Sequence, residues 1–267
     1  LRIIVIGAKG FLGSAIVAEA NKRKHDVVPV TRQNYNELVG STCDVLINAD
    51  GNSKKYLATK DPVKDFELSV FSVIQSLQDF KAQQYIYLSS IDVYNVSNPE
   101  KNTENSVIDI QKLSKYGFHK HLAEEIVEHF AQHWLIIRMG GFVGSGQRKN
   151  SVYDMLNRKP LYVHPESEYQ YLNTRDLARI LLTLIQNGLR NEIINIAGEG
   201  TISLSEIASF IPGYDFPADS YNLKSEKYEV NIRKLKTYIT VPKTEKTIKS
   251  FIEKFLAGNV EIKKPSD

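Results

Sequence analysis

Tyr116 stands four residues before Lys120 in SKYGFHKHLAEEIV, residues 114–127, a stretch that otherwise reads as a polar-faced helix. Side chains four apart on a helix leave from the same side, about one turn from each other. A phenol and an ammonium so placed can act on one small object lying alongside. A free phenol titrates at about 10, too high for efficient proton traffic near neutrality, and a cationic neighbour that favours the phenolate brings it into range. A second group of residues lies at the start of the chain. VIGAKGFLG, residues 5–13, sets Gly7, Gly10 and Gly13 directly after a β-branched run and at the opening of a helical pattern. That is the context a phosphate-binding turn requires. Gly7 allows the tight turn, Gly10 lets backbone approach a pyrophosphate, and Gly13 lets the helix pack closely on the sheet.

In a dinucleotide-binding fold the tip of the second strand carries an acid, about 20 residues beyond the glycines, that grips the adenosine ribose. Here the tip reads VTRQN, with Arg32 in the acid's place and Lys9 inside the glycine loop. Two cations and no carboxylate suit the extra phosphate of NADP, because a guanidinium binds phosphate bidentately and an acid repels it. NAD is the alternative, with Arg32 then a solvated arginine after a strand.

The elements that must position these groups follow from periodicity. RIIVIG (2–7), DVVPVT (26–31), DVLINA (44–49), QYIYLSS (84–90) and WLIIRMGG (134–141) read as strands. Between them lie helical patterns near 11–24, over 62–82 and over 114–131. Strand and helix alternating in this way predict a parallel sheet with helices on both faces. Pro29 lies inside the second run and demotes it as a central strand. Beyond about residue 145 the rhythm loosens into helices near 150–158, 174–187 and 203–211 and a strand at EIINIAG. The expected division is a dinucleotide-binding domain over 1–147 and a smaller α/β substrate lobe over 148–267, sharing some elements with the first.

Composition narrows the function classes. A chain of 267 residues, 42% hydrophobic and 24% charged, can bury a core that needs no disulfide or metal staple. Cys43 is the sole cysteine and precedes an apolar run, which reads as a packing residue. The net charge is +3, and the basic residues of KTEKTIKSFIEKF alternate with glutamates, a solvated helix face and not a nucleic-acid stripe. No apolar stretch approaches the roughly 20 residues that span a bilayer, and glycines interrupt the only signal-like run, so a cytoplasmic protein is expected. His129 and His133 are four apart, but no third ligand has suitable spacing, so no metal site is expected.

YLSSIDVY ends a strand with Ser89 and Ser90. Ligands of open α/β sheets bind at the carboxyl ends of strands, so these hydroxyls face the same crevice as the glycine loop. Together GAKGFLG, SSIDVY, TENS upstream of YGFHKHLAEE, RMGGFVG, NTRDLAR and IINIAGEGTISLSEIA, in this order, resemble the extended short-chain dehydrogenase/reductase family, the NAD(P)-dependent epimerase/dehydratase group. The resemblance covers nearly the whole chain. It implies a Rossmann-type doubly wound sheet and a triad of Ser90, Tyr116 and Lys120, Ser90 being the serine four residues before Tyr94. Ser90 would hold the substrate oxygen, Lys120 the nicotinamide ribose, and Tyr116 would pass the proton. Asp92 is read as an auxiliary acid or base, or as a turn residue. Dehydratases of the family show adjacent Asp-Glu after the hydroxyl residue; Ile91 then Asp92 argues against dehydration. Phe11, Leu12, Ala49 and Gly140 complete the cofactor-binding set with Gly7, Lys9, Gly10, Gly13, Arg32, Tyr116 and Lys120.

Substrate recognition is where the pattern departs. Nucleotide-sugar enzymes of the family commonly carry an arginine seven residues before the aspartate that is Asp176 here, and this chain has Tyr169. Arg148, Lys149, Arg158 and Arg175 are the cations near it in sequence. His119 and His121 are expected at the surface or an interface, and Tyr162, Tyr169 and Tyr171 within the packing of the smaller lobe. The helices at 62–82 and 114–131 resemble the pair through which family members form homodimers. The expected activity is NADP-preferring reduction of a keto group on a sugar, nucleotide-linked by the family pattern, with Tyr116 as proton donor. The alternatives are an epimerase using the same triad and a regulator that binds NADP without turnover.

Overall fold

The computed structural model describes residues 1–94, 100–161 and 163–263. In chain order the elements begin β1 (Arg2–Ile6), α1 (Phe11–Lys22), β2 (Asp26–Val30), α2 (Tyr35–Leu38), β3 (Thr42–Asn48), α3 (Lys55–Lys60), α4 (Pro62–Phe66) and α5 (Ser72–Asp79). They continue β4 (Lys81–Leu88), α6 (Lys115–Phe130), β5 (Trp134–Met139), β6 (Gly141–Val143), α7 (Ser151–Leu156), β7 (Glu168–Tyr169), β8 (Tyr171–Asn173) and α8 (Thr174–Gln186). The rest are β9 (Glu192–Ile196), β10 (Ile202–Ser203), α9 (Leu204–Ser209), β11 (Lys227–Tyr228), α10 (Arg233–Lys236) and α11 (Thr244–Leu256). Two compact units form. The first gathers Leu1–Asn95, Glu104–Met139 and Leu177–Ile196; the second, Val96–Thr103, Gly140–Asp176 and Ala197–Asp267.

The first unit is built on a six-stranded sheet in the order β2-β1-β3-β4-β5-β9, every neighbouring pair parallel. This is the expected Rossmann-type doubly wound α/β fold. Val73 of α5 with Ala123 and Val127 of α6 covers one face, against Ile4, Leu46, Tyr85, Tyr87 and Ile136. On α1, Ile16 and Ala20 are fully buried, and Arg23 just beyond it ties α1 to α8 by donating to the Arg179 carbonyl, Thr183 and Gln186. Strand β2 lies at the sheet's edge, where its Pro29 removes no central ladder bond.

Sheet register decides what meets at the carboxyl ends. Ile6 pairs with Asn48 and Asn48 with Tyr87. Gly7, Ala49 and Leu88 therefore come one residue later in adjacent strands, and Ser89 and Ser90 follow. The order reverses at β1, with β2 on one side and β3 on the other, which is where open α/β sheets bind ligands.

The 62–82 segment is not one helix. Asp61 caps its start by accepting from the Lys64 amide, and Pro62 occupies the first turn, where its missing N–H costs nothing. A π-turn over Glu67–Phe71 separates α4 from α5, and β4 begins at Lys81, so the segment's last residues are strand. A π-turn inserts one extra residue into the helix and re-aims what precedes it.

In the second unit β10, β7 and β11 form a three-stranded sheet and β6 pairs with β8. Its core joins Val152, Met155 and Leu156 of α7 to Leu204 and Ile207 of α9 and Ile248, Phe251 and Ile252 of α11.

Helix α6 is brought against the turn after β4 at Gly117, where an added Cβ would lie 2.1 Å from the Asp92 carbonyl oxygen. Backbone cannot yield there as a flexible side chain would. Gly117→Ala should therefore destabilise the chain by about 1–3 kcal/mol, measured from the midpoint of urea or thermal unfolding; an unchanged midpoint would contradict this docking.

Candidate active site

The glycine loop folds as its spacing predicts. Gly7 has φ +75, and a Cβ there would meet the Ala49 carbonyl oxygen at 2.8 Å, while one on Gly13 would fall 2.2 Å from the Gly7 carbonyl oxygen. The loop thus lies flat between the end of β3 and the first turn of α1. Gly10 is the N-cap of α1, with no side-chain cap and no acid in the first turn. The opening amides of Phe11 and Leu12 are therefore left for an outside acceptor at the positive end of the helix dipole. The Ala8 amide donates to the Val30 carbonyl at 3.1 Å, which joins the loop to the tip of β2. Lys9 and Arg32, both exposed, flank that junction. A backbone cradle that a Cβ would fill, an uncapped helix end and two cations fit the pyrophosphate and adenosine side of a dinucleotide.

Ser114 caps helix α6, its hydroxyl accepting from the Gly117 amide at 3.0 Å. From there Tyr116 and Lys120 both project inward. Lys120 is 4% exposed and Tyr116 8%. The Lys120 ammonium donates to the Tyr87 hydroxyl at 3.4 Å and lies 6.0 Å from the centre of the Tyr116 ring. The backbone of Gly51, just past β3, borders it: a Cβ on Gly51 would be 3.4 Å from Nζ. Burial pulls the Lys120 ammonium down to about 8, opposed by Asp65, Glu124, Asp50 and Asp92 in that order. The ammonium persists at neutral pH because several acids face it.

Tyr116 behaves differently from the sequence expectation that its cationic neighbour favours phenolate. Burial raises its phenol well above the ordinary value and the charge of Asp92 adds to the rise, while a hydrogen bond with Ser90 opposes it. In this arrangement the phenol keeps its proton. The Ser90 hydroxyl donates to Asp92 Oδ2 at 2.8 Å, and Asp92 Oδ1 is paired with the Lys55 ammonium at 2.6 Å. Ser90, Asp92, Tyr116 and Lys120 thus belong to one cluster with Tyr87.

The expectation that both Ser89 and Ser90 face the crevice needs correcting: the chain stays extended past the end of β4, consecutive extended residues face opposite sides, and Ser89 turns away from Ser90. The Ser89 hydroxyl donates to Glu124, which Arg138 grips through Nε and Nη2 at 2.8–3.2 Å. Arg138 Nη1 also donates to the Tyr94 hydroxyl at 3.0 Å, and Tyr94 to Asn195 at 2.8 Å. Burial pushes the Glu124 carboxyl up, but His121 nearby, the charge of Arg138 and the bonds from Arg138 and Ser89 outweigh it and hold the group below its usual range. The network anchors the turn that presents Ser90.

Four residues of the cluster's surroundings escape sequence reasoning: Tyr87, Lys55, Asp65 and His119. Tyr87 carried a signal, a phenol inside an apolar strand three residues before Ser90. His119 is a correction. It is buried, not at the surface, and its Nδ1 lies 2.6 Å from Asp65 Oδ2. Helix geometry turns it off the Tyr116 face, but α4 waits there.

The remaining candidates lie elsewhere. Gly140 follows β5 and opens the Gly140–Asp176 segment of the second unit. In that unit the Tyr169 hydroxyl donates to Glu226, its ring stacks on Tyr228 at 5.9 Å, and Tyr171 is buried. Tyr162 lies outside the described residues. Arg158 donates to the Pro212 carbonyl at 2.6 Å, and Arg148, Lys149 and Arg175 are exposed. No group of three metal-ligating residues gathers among the described residues, and α6 ends at Phe130, between His129 and His133. No described helix is long and apolar enough to cross a membrane.

Comparison with known proteins agrees with the fold. A UDP-galactose 4-epimerase structure superposes with a TM-score of 0.79 at 20% identity, covering 97% of this chain and 99% of that one. The dTDP-4-dehydrorhamnose reductase of Bacillus anthracis, in complex with NADP, gives 0.77 at 18% identity over 95% and 98%. The UDP-glucuronic acid 4-epimerase of Bacillus cereus, in complex with NAD, gives 0.76 at 17% identity over 96% and 99%. No curated protein matches the sequence significantly. Residues 3–197, most of the chain, match the NAD dependent epimerase/dehydratase family, and the chain belongs to that family of NAD(P)-dependent enzymes.

Proposed function

We propose that this enzyme reduces a keto group on a nucleotide-linked sugar, with NADPH as the reductant and Tyr116 as the proton donor. The observation that carries the reading is the meeting of Ser90, Tyr116 and Lys120 in one cluster, with Tyr116 held in its protonated form. Nicotinamide, when bound, supplies the hydride. The chain's own residues supply the rest. Ser90 would hold the substrate oxygen by turning toward it the hydrogen that it donates to Asp92 in the free chain. Tyr116 passes its proton to the same oxygen as charge develops there, and Lys120 both binds the ribose hydroxyls and supplies positive charge. Gly7, Gly10, Gly13, Phe11 and Leu12 hold the pyrophosphate, Ala49 borders it, and Arg32 with Lys9 takes the additional phosphate.

The substrate class rests on the company the fold keeps: similar chains were crystallised with UDP-glucuronic acid and UDP-glucose. Substrate recognition is assigned to the second unit, while Gly140 is kept among the cofactor-binding residues. Exposed Val63, Phe66 and Phe71 along 62–79 and Phe118 on α6 are assigned to pairing of two copies.

Three outcomes are expected. A panel of keto-sugar nucleotides should show net consumption of NADPH, and Tyr116→Phe should lower that turnover by about 10²- to 10⁴-fold with cofactor affinity nearly intact. Tightly retained, oxidised cofactor without net consumption would assign the epimerase, and binding without turnover across the panel would assign a regulator. NADPH should bind more tightly than NADH, and Arg32→Ala should weaken NADPH alone by about 10- to 100-fold; a wild-type preference for NADH removes the role of Arg32. Sedimentation should give the mass of two chains, and a single-chain mass would end the pairing assignment.

A further inference from the structure

Asp65, on α4, is fully buried, and no step of the proposed reaction uses it. Its carboxylate has three partners. Oδ1 accepts from the Asn52 side-chain amide at 2.6 Å and from the Ser69 hydroxyl at 3.2 Å, while Oδ2 meets His119 Nδ1 at 2.6 Å. Two of these partners are neighbours of the groups that meet at the Lys120 ammonium. His119 precedes Lys120 on α6. Asn52 follows Gly51, whose backbone borders Nζ, and it locks that loop by accepting from the Lys54 amide at 2.7 Å and donating to the Lys54 carbonyl at 2.9 Å.

A staple between helices needs no carboxylate. Well-packed apolar side chains do that work without the desolvation that a buried charge costs. A carboxylate is intelligible there if its charge is used, and the buried charge nearby is Lys120. Four acids face that ammonium: Asp65, Glu124, Asp50 and Asp92. Glu124 is gripped by Arg138, Asp92 is paired with Lys55, and Asp50 is exposed to water. Asp65 bonds no lysine or arginine side chain among the described residues, only an imidazole, an amide and a hydroxyl, and its charge raises Lys120. The remaining ionisable neighbours of Nζ are the phenols of Tyr87 and Tyr116.

We propose that Asp65 is a positioning residue for catalysis, the buried counter-charge that keeps Lys120 an ammonium and, through His119 and Asn52, holds it in the cleft. This rests on the role given to Lys120 above, but its charge coupling can be measured without turnover. In the cofactor-free chain with lysines labelled at Cε, NMR follows the titration of Lys120, whose signal is identified by its loss in Lys120→Met. Wild-type Lys120 should titrate at about 8. Asp65→Asn should lower that midpoint by about one pH unit or more, since an opposite charge beside a group shifts it by that much, and Asp65→Glu should recover part of the shift. An Asp65→Asn chain that melts cooperatively and titrates Lys120 at the wild-type pH overturns the proposal. If Asp65→Asn does not fold, adding Lys120→Met should restore a cooperative melt, because the stranded ammonium is then gone; failure of the double variant to fold overturns it equally. Near-wild-type turnover in Tyr116→Phe would instead remove the catalytic reading and leave the coupling standing.

Discussion

A lysine ammonium taken almost wholly out of water is the constraint around which the first unit is organised. Burial favours the neutral amine, and Lys120 remains charged near neutrality because carboxylates face it from α4, from its own helix and from the turns after β3 and β4. Each of those carboxylates has in turn to be satisfied. Arg138 satisfies Glu124, Lys55 satisfies Asp92, and Asn52, Ser69 and His119 satisfy Asp65. Much of the polar interior at the carboxyl end of the sheet is the consequence of admitting one cation.

Close backbone contact supplies the geometry that charge alone cannot. Two contacts matter, the glycine loop against the end of β3 and helix α6 against the turn after β4, and both exist where a Cβ would collide. The first brings the opening turn of α1 beside the strand ends. The second brings Tyr116 within hydrogen-bonding reach of Ser90, since Gly117 is the next residue on the helix. Register does the rest, setting Gly7, Ala49 and Leu88 in consecutive strands. These are steric and hydrogen-bonding constraints on main chain, so they survive wide variation in side chains, which accords with a shared fold at 20% identity.

That distinction explains which parts of the site were legible in the sequence. The glycine loop, the strands and the Tyr116–Lys120 pair announce themselves through local spacing, because helix and strand periods convert separation along the chain into direction. Pro29 marked an edge strand by the same kind of local rule. Alternation along the extended chain past β4 also separates Ser90 from Ser89, a step missed in setting both hydroxyls toward the crevice. Asp65 and Lys55 carried no such signal. The ionisable partner of Asp65, His119, lies 54 residues away and that of Lys55, Asp92, lies 37 away, and nothing in a run of helical residues says which carboxylate or ammonium will be buried. His119 shows how the helical rule misleads: one residue from Lys120 it does leave the Tyr116 face, yet a second helix, and not water, lies on that side. The π-turn at Glu67–Phe71 was equally invisible, since an amphipathic pattern continues through it.

The same surroundings act oppositely on the two residues that share a face of α6. Burial disfavours the charged form of each, so it raises the Tyr116 phenol and lowers the Lys120 ammonium. Nearby carboxylates then raise both, adding to the effect of burial on the phenol and opposing it on the lysine. The result at neutral pH is a phenol that holds its proton beside an ammonium that holds its charge. A reaction that begins by protonating a substrate oxygen starts from that state directly. One that begins by removing a proton must first work against burial and against Asp92. The electrostatics of this cleft therefore leave Tyr116 holding its proton, which is the state from which the proposed reduction would start.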